Sequence, residues 1–175
     1  MLFRSKPATG VTATISGSVS NAPILRISGD YVTIDGSNNG TTTRNIIITN
    51  TNTTTPRVLL LGSTGTTPLR NVTITNTVLN NGSGTASTLL LSDAATIGTA
   101  GYFRDITIQN DSINLGFHGI YCIGVNQAGN GKGLLIADNK LNAAGASAIN
   151  DNGIYIQDLD SVSILRNTIG NFVGS

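Results

Sequence analysis

Asn71-Val-Thr-Ile74-Thr-Asn76 is the stretch on which the fold turns. Its Val lies two positions before its Ile, so both side chains point to one face of a strand and the Thr residues to the other. The arrangement returns at Asn45-Ile-Ile-Ile48-Thr-Asn50, Asp105-Ile-Thr-Ile108-Gln-Asn110, Gly133-Leu-Leu-Ile136-Ala-Asp138 and Ser161-Val-Ser-Ile164-Leu-Arg166. After Ile74, Ile108, Ile136 and Ile164 a second apolar residue follows, at Leu79, Ile113, Leu141 and Ile169, and Asn comes next at Asn80, Asn114 and Asn142. A strand, an Asn turn and a second strand, repeated along a chain, mark a solenoid of stacked coils.

Between these units lies a second set of apolar runs: Arg57-Val-Leu-Leu-Leu61, Thr88-Leu-Leu-Leu91, Gly119-Ile-Tyr-Cys-Ile123 and Gly153-Ile-Tyr-Ile156. Near-continuous apolar strands suit a parallel sheet. The reading is therefore an all-β, single-stranded parallel β-helix over residues 1–175. About five to six coils are expected, stacked ~4.8 Å apart, with no capping helix at either end. Segment 1–10 is left without an assignment. The fixed Ile positions 48, 74, 108, 136 and 164 define the coils in this reading. Pro23-Ile-Leu-Arg-Ile27 and Tyr31-Val-Thr-Ile-Asp35 also resemble a strand pair, but Ile34 stands too close to Ile48 for a full coil between them. Turn-rich segments such as Gly36-Ser-Asn-Asn-Gly40 and Asn80-Asn-Gly-Ser-Gly84 connect the strands, and no linker divides the chain.

Composition agrees. The 175 residues contain no Glu and no Trp, only 11% are charged, and Thr, Asn, Ser and Gly abound. Helix formers are scarce and β-branched residues plentiful. A hydrophobic content of 39% is too high for a disordered Ser/Thr tract. The net charge is +1 and the cations are scattered, which argues against nucleic acid as a partner. No apolar run reaches the length of a membrane span. Met1-Leu-Phe-Arg-Ser-Lys-Pro lacks the apolar centre of a signal peptide. The one cysteine, Cys122, sits in an apolar run and reads as a small buried hydrophobe.

Tyr31-Val-Thr-Ile-Asp-Gly-Ser37, the Asn71–Asn76 strand, and Gly153-Ile-Tyr-Ile156 ahead of Ser161-Val-Ser-Ile-Leu-Arg-Asn167 resemble right-handed parallel β-helix repeats of the pectin-lyase-like superfamily. The combination is also similar to β-helix regions of large secreted proteins of Bacteroidetes-type bacteria. This resemblance implies an extracellular or cell-surface location. It also implies one of two roles. The first is a non-catalytic module that is structural, adhesive or glycan-contacting. The second is a polysaccharide lyase or hydrolase, or its remnant. The fold hosts both, so the site must decide.

The catalytic sets the resemblance would require are missing. Phe117-His118-Gly119 echoes a Gly-His-Gly motif, but the paired Asp-Asp and Arg-Ile-Lys elements are absent. His118, entering an apolar strand, reads first as a rim or core residue. The lyases of this superfamily hold Ca²⁺ with carboxylates, and Ca²⁺ takes six to eight oxygens. The candidate ligands are Asp138, Asp151, Asp158 and Asp160, though Asp151 and Asp160 also fit turns that bond their own backbone. No other cofactor is expected. Gly129-Asn-Gly-Lys-Gly133 lacks the helix and hydroxyl of a phosphate loop and reads as a turn. Asn50, Asn76 and Asn110, with Asp138 following, are expected to stack as a ladder that bonds coil to coil. Bare solenoid ends recruit other strands, so further β-helix coils, or copies of the chain stacked end to end, are the expected partners, with polysaccharide as the candidate ligand.

Overall fold

The computed structural model describes residues 2–173 and winds the chain into a parallel β-helix with three strands per coil. Coil 1 holds β1 (Phe3–Ser5), β2 (Ala13–Gly17) and β3 (Pro23–Ile27). Coil 2 holds β4 (Val32–Asp35), β5 (Ile46–Asn50) and β6 (Arg57–Ser63). Coil 3 holds β7 (Leu69–Thr75), β8 (Thr77–Asn80) and β9 (Leu89–Asp93). Coil 4 holds β10 (Phe103–Gln109), β11 (Ser112–Asn114) and β12 (Gly116–Ile123). Coil 5 holds β13 (Leu135–Ala137), β14 (Lys140–Leu141) and β15 (Ile149–Gln157), and β16 (Ser163–Leu165) and β17 (Thr168–Ile169) begin a sixth. The only helical turn among the described residues is a 3₁₀ turn at Gly145–Ser147.

Every first strand joins one parallel sheet (A), every second strand another (B) and every third a third (C). Identical strand positions stack in register, so the core consists of columns. In sheet A, Ile34, Ile74, Ile108, Ile136 and Ile164 align. In sheet B, Ile15, Ile48 and Leu79 align, and Ile113 continues the column. In sheet C the column is Ile27, Leu61, Leu91, Cys122 and Ile156. The members in coils 3 and 4 are fully buried. Cys122 lies in this core, where burial pushes its thiol well above the usual range.

One expectation is corrected here. Ile48 is not a sheet A residue: it lies in β5 and pairs with Leu79 of sheet B. The sheet A member of coil 2 is Ile34, so the 14-residue gap between them is no coil. It is the turn from sheet A to sheet B, widened by a loop over residues 36–45. The pattern Ile-x-Ile-Thr-Asn is the same on both sheets, because both point alternate side chains into one core, and the inserted loop hides which is which. The unassigned N-terminal segment supplies β1, paired with β4.

The turn from sheet A to sheet B is the tightest. From coil 3 onward it needs one residue in the left-handed region: Asn76, Asn110, Asp138 and Arg166, with φ between 51° and 60°. Coil 2 uses Gly36 instead, at ordinary φ, because a side chain there would collide with the Asn76 carbonyl of the next coil. At the ends the columns are open. Phe3 and Ile15 at one end, and Ile164, Leu165 and Ile169 at the other, are exposed. The first-coil opening is an apolar hollow of about 410 Å³ bounded by core residues such as Leu25, Ile27 and Ile34.

Candidate functional site

The expected ladder divides into separate sets. Asn76 and Asn110 do stack: Asn110 Nδ2 donates to Asn76 Oδ1 at 2.6 Å, and Asn76 Nδ2 donates to Asp35 Oδ1 at 2.8 Å. Asp138 follows at the same corner but accepts from Gln109 Nε2 at 3.0 Å and from Arg166 at 2.8 and 2.9 Å. Asn50 belongs elsewhere. It ends β5 opposite Gly17, at the corner after sheet B. There its buried side chain donates to the carbonyls of Val19 and Arg57 and accepts from the amides of Val19 and Asn52. The displacement has the same cause as that of Ile48.

One residue beyond Asn76, Asn110, Asp138 and Arg166 runs a second column that the sequence reading missed: Thr77, Asp111, Asn139 and Asn167. The first three are fully buried. Asn139 accepts from Asp111 N at 2.9 Å and donates to Ile108 O at 3.0 Å. Asn167 accepts from Asn139 N at 3.0 Å and donates to Ile136 O at 2.9 Å. Each amide thus bridges two main-chain groups of the preceding coil and gives the turn N–H its acceptor. The signal in the sequence is a polar residue three positions after each sheet A Ile, where an inward apolar residue might be expected.

The four carboxylates offered as Ca²⁺ ligands lie in three separate places. Asp138 is at the A–B corner with Arg166. Asp151 is on β15, beside His118. Asp158 and Asp160 line a shallow hollow with Asn126 and Gln127 after β15, where Asp160 accepts from Gly129 N at 3.1 Å. Among the described residues, no group of three or more His, Cys, Asp or Glu is placed to hold a metal ion.

The outer face of sheet C has a different character. Its outward column runs Arg26, Leu60, Leu90, Tyr121 and Tyr155. Leu60 and Leu90 point away from the core yet are nearly fully buried. The segment after β9 folds back, with Gly98 N donating to Ser92 Oγ at 3.1 Å, and Gly98 lines a hollow of about 250 Å³ together with Leu90, Tyr121 and His118. Arg57, Ser87 and Phe117 also line it.

Beside the hollow four rings meet. Tyr121 and Tyr155, neighbours across the coil step, stack at 4.9 Å and 6°. His118 stacks on both, at 5.2 and 5.4 Å, and Phe117 meets His118 edge-on at 4.7 Å. β12 and β15 shift register between Gly116 and His118. Asn152 Nδ2 lies 3.3 Å and Asp151 Oδ2 3.7 Å from His118 Nδ1. Tyr155 Oη donates to Gln157 Oε1 at 3.2 Å. Burial lowers the His118 pKa, offset in part by Asp151. Burial raises that of Tyr121, with Tyr155 adding to the rise. Near pH 7 the rings therefore form a neutral aromatic surface, with hydroxyl, amide, one carboxylate and the Arg57 guanidinium around it. His118 lies within β12, half-buried, and its partner is the Asn152 side chain; its alignment with two Tyr residues 3 and 37 positions downstream requires the coil register.

Compared with protein-family models, with curated proteins and with solved structures, the chain matches none of them.

Proposed function

We propose that the protein is a non-catalytic, glycan-contacting β-helix module whose ligand lies along the outer face of sheet C. The support is the aromatic cluster. The chain is only 5% Phe, Tyr and Trp, yet its one His, two of its four Tyr and one of its four Phe gather on one face of two adjacent coils. Uncharged rings beside a hollow, with a few fixed polar groups, suit a ligand that has both C–H faces and hydroxyls. Asp151, Asn152 and Gln157 supply acceptors and donors for those hydroxyls. Extracellular or bacterial surface location belongs to the same reading, through the resemblance to pectin-lyase-like repeats. So does the covering of the two open ends by further coils of the same kind, within a longer chain or in a second copy.

The His118–Asp151 pair favours a second reading on the same surface: a lyase or hydrolase, or its remnant. A neutral imidazole held beside a carboxylate is the composition of a general base.

A panel of neutral and uronate polysaccharides, with and without Ca²⁺, separates the readings. Binding without cleavage is expected. Tyr121→Ala and Tyr155→Ala should each weaken it by about tenfold, the scale of one lost aromatic contact. Cleavage abolished by His118→Ala would establish the enzyme. Binding that neither Tyr substitution weakens would refute the site.

A further inference from the structure

We propose that Asp111 serves as a protonated carboxylic acid in the buried column, taking the place of an asparagine, and that it makes the joint between coils 3 and 4 weaken as pH rises. In Asn139 and Asn167, one side-chain atom accepts from the amide of the equivalent residue one coil back, and the other donates to a sheet A carbonyl of that coil. Asp111 repeats the first half. Its Oδ1 accepts from Thr77 N at 2.7 Å and from Thr77 Oγ1 at 2.8 Å. Its Oδ2 stands where the other two carry an NH₂, and the equivalent carbonyl one coil back is that of Ile74. This Oδ2 is buried and has no hydrogen-bond partner among the described residues.

Two acceptors in that position repel. A proton on Oδ2 turns the pair into a hydrogen bond and removes a buried charge at the same time. The surroundings supply little to hold a carboxylate. Thr77 and Asn139 on either side are uncharged. Asp138 and Lys140, which flank Asn139, are respectively engaged by Arg166 and exposed. Among the described residues, the cation facing Asp111 is Arg44 of the 36–45 loop. It is already committed to Asn110, donating to its carbonyl and to its Oδ1 at 2.6 Å each. Burial accordingly raises the Asp111 carboxyl to about 7, against the lowering effect of Thr77, Arg44 and the Gln109 main chain.

The sign follows. The unfolded chain loses this proton near the ordinary value of 3.8, while the folded chain keeps it to about 7. Stability from Asp111 is therefore complete below the lower value, declines as pH rises through the window, and levels off above it.

The test is the denaturation midpoint of the whole chain from pH 4 to pH 9, for the wild type and Asp111→Asn, alongside ¹³C NMR of the Asp111 carboxyl. The wild-type midpoint should fall across the window. Asp111→Asn should fold, match or exceed the wild type at pH 8, and lack the fall. The carboxyl carbon should keep its protonated shift at pH 5.5. Parallel pH profiles, an unfolded Asp111→Asn, or an ionised carboxyl shift at pH 5.5 would each overturn the proposal.

Discussion

Two columns one residue apart at the same corner do opposite work. Asn76, Asn110, Asp138 and Arg166 turn the backbone, and their side chains lie at or near the surface. Thr77, Asp111, Asn139 and Asn167 point inward and hold the coils together through main-chain groups. The first column selects residues for a dihedral angle, so Asn, Asp and even Arg serve. The second selects for hydrogen-bond valence, so an amide fits, and a carboxyl fits when it carries a proton. The columns converge at Asp35, whose Oδ1 accepts from Asn76 of the first and from Ser37 N and Oγ at the coil 2 position of the second.

The largest expected effect comes from breaking the inner column. Asn139→Leu keeps the volume, leaves Asp111 N buried without its acceptor and deletes the bond to Ile108 O. At about 1–3 kcal/mol for the unsatisfied amide and about 1 kcal/mol for the deleted bond, a loss on the order of 3 kcal/mol is expected in urea unfolding. Asp138→Asn, one residue earlier, keeps the left-handed residue type and should leave the midpoint within scatter. Equal losses from the two would erase the distinction between the columns.

These columns also show how far the sequence could be read. The Val-x-Ile-x-Asn pattern led to the parallel β-helix and to the stacking of Asn76 on Asn110, because a strand's period of two is local. It misplaced Ile48 and Asn50, because sheets A and B share one inward pattern and the 36–45 insertion has no periodicity of its own. The inner column stayed hidden because Thr, Asp and Asn differ in identity and are alike only in where they face. The aromatic cluster was hidden for another reason: His118 and Tyr155 are brought together by one full coil, whose length is set by loops.

At Asp35, where the columns meet, an intermediate effect is expected on the acid side. Burial alone would raise its pKa, but hydrogen bonds from Asn76, from Ser37 twice and from Arg4 outweigh it and hold the carboxyl at about 2, below its ordinary 3.8. Its contribution is present above the ordinary value and is lost as pH falls toward 2. The loss is on the order of 2 kcal/mol. Asp35→Asn should flatten that acid limb in a thermal scan series and leave the decline attributed to Asp111 in place. The two carboxyls act with opposite sign, so the wild type should be most stable near pH 4. An Asp35→Asn protein that retains the acid limb would remove Asp35 as the meeting point of the columns.

The smallest effect isolates the dihedral requirement of the outer column. Arg166 has φ 51° and, among the described residues, its side chain bonds Asp138 alone. Its ion pair is exposed, and such pairs contribute little. Arg166→Gly and Arg166→Ala both delete that pair, so the difference between them reports the backbone alone. Gly adopts the left-handed region freely, whereas Ala carries the Cβ penalty there. The Gly variant should therefore melt above the Ala variant and near the wild type. The reverse order would mean that Arg166 is held in place by its pairing with Asp138 and not by the turn.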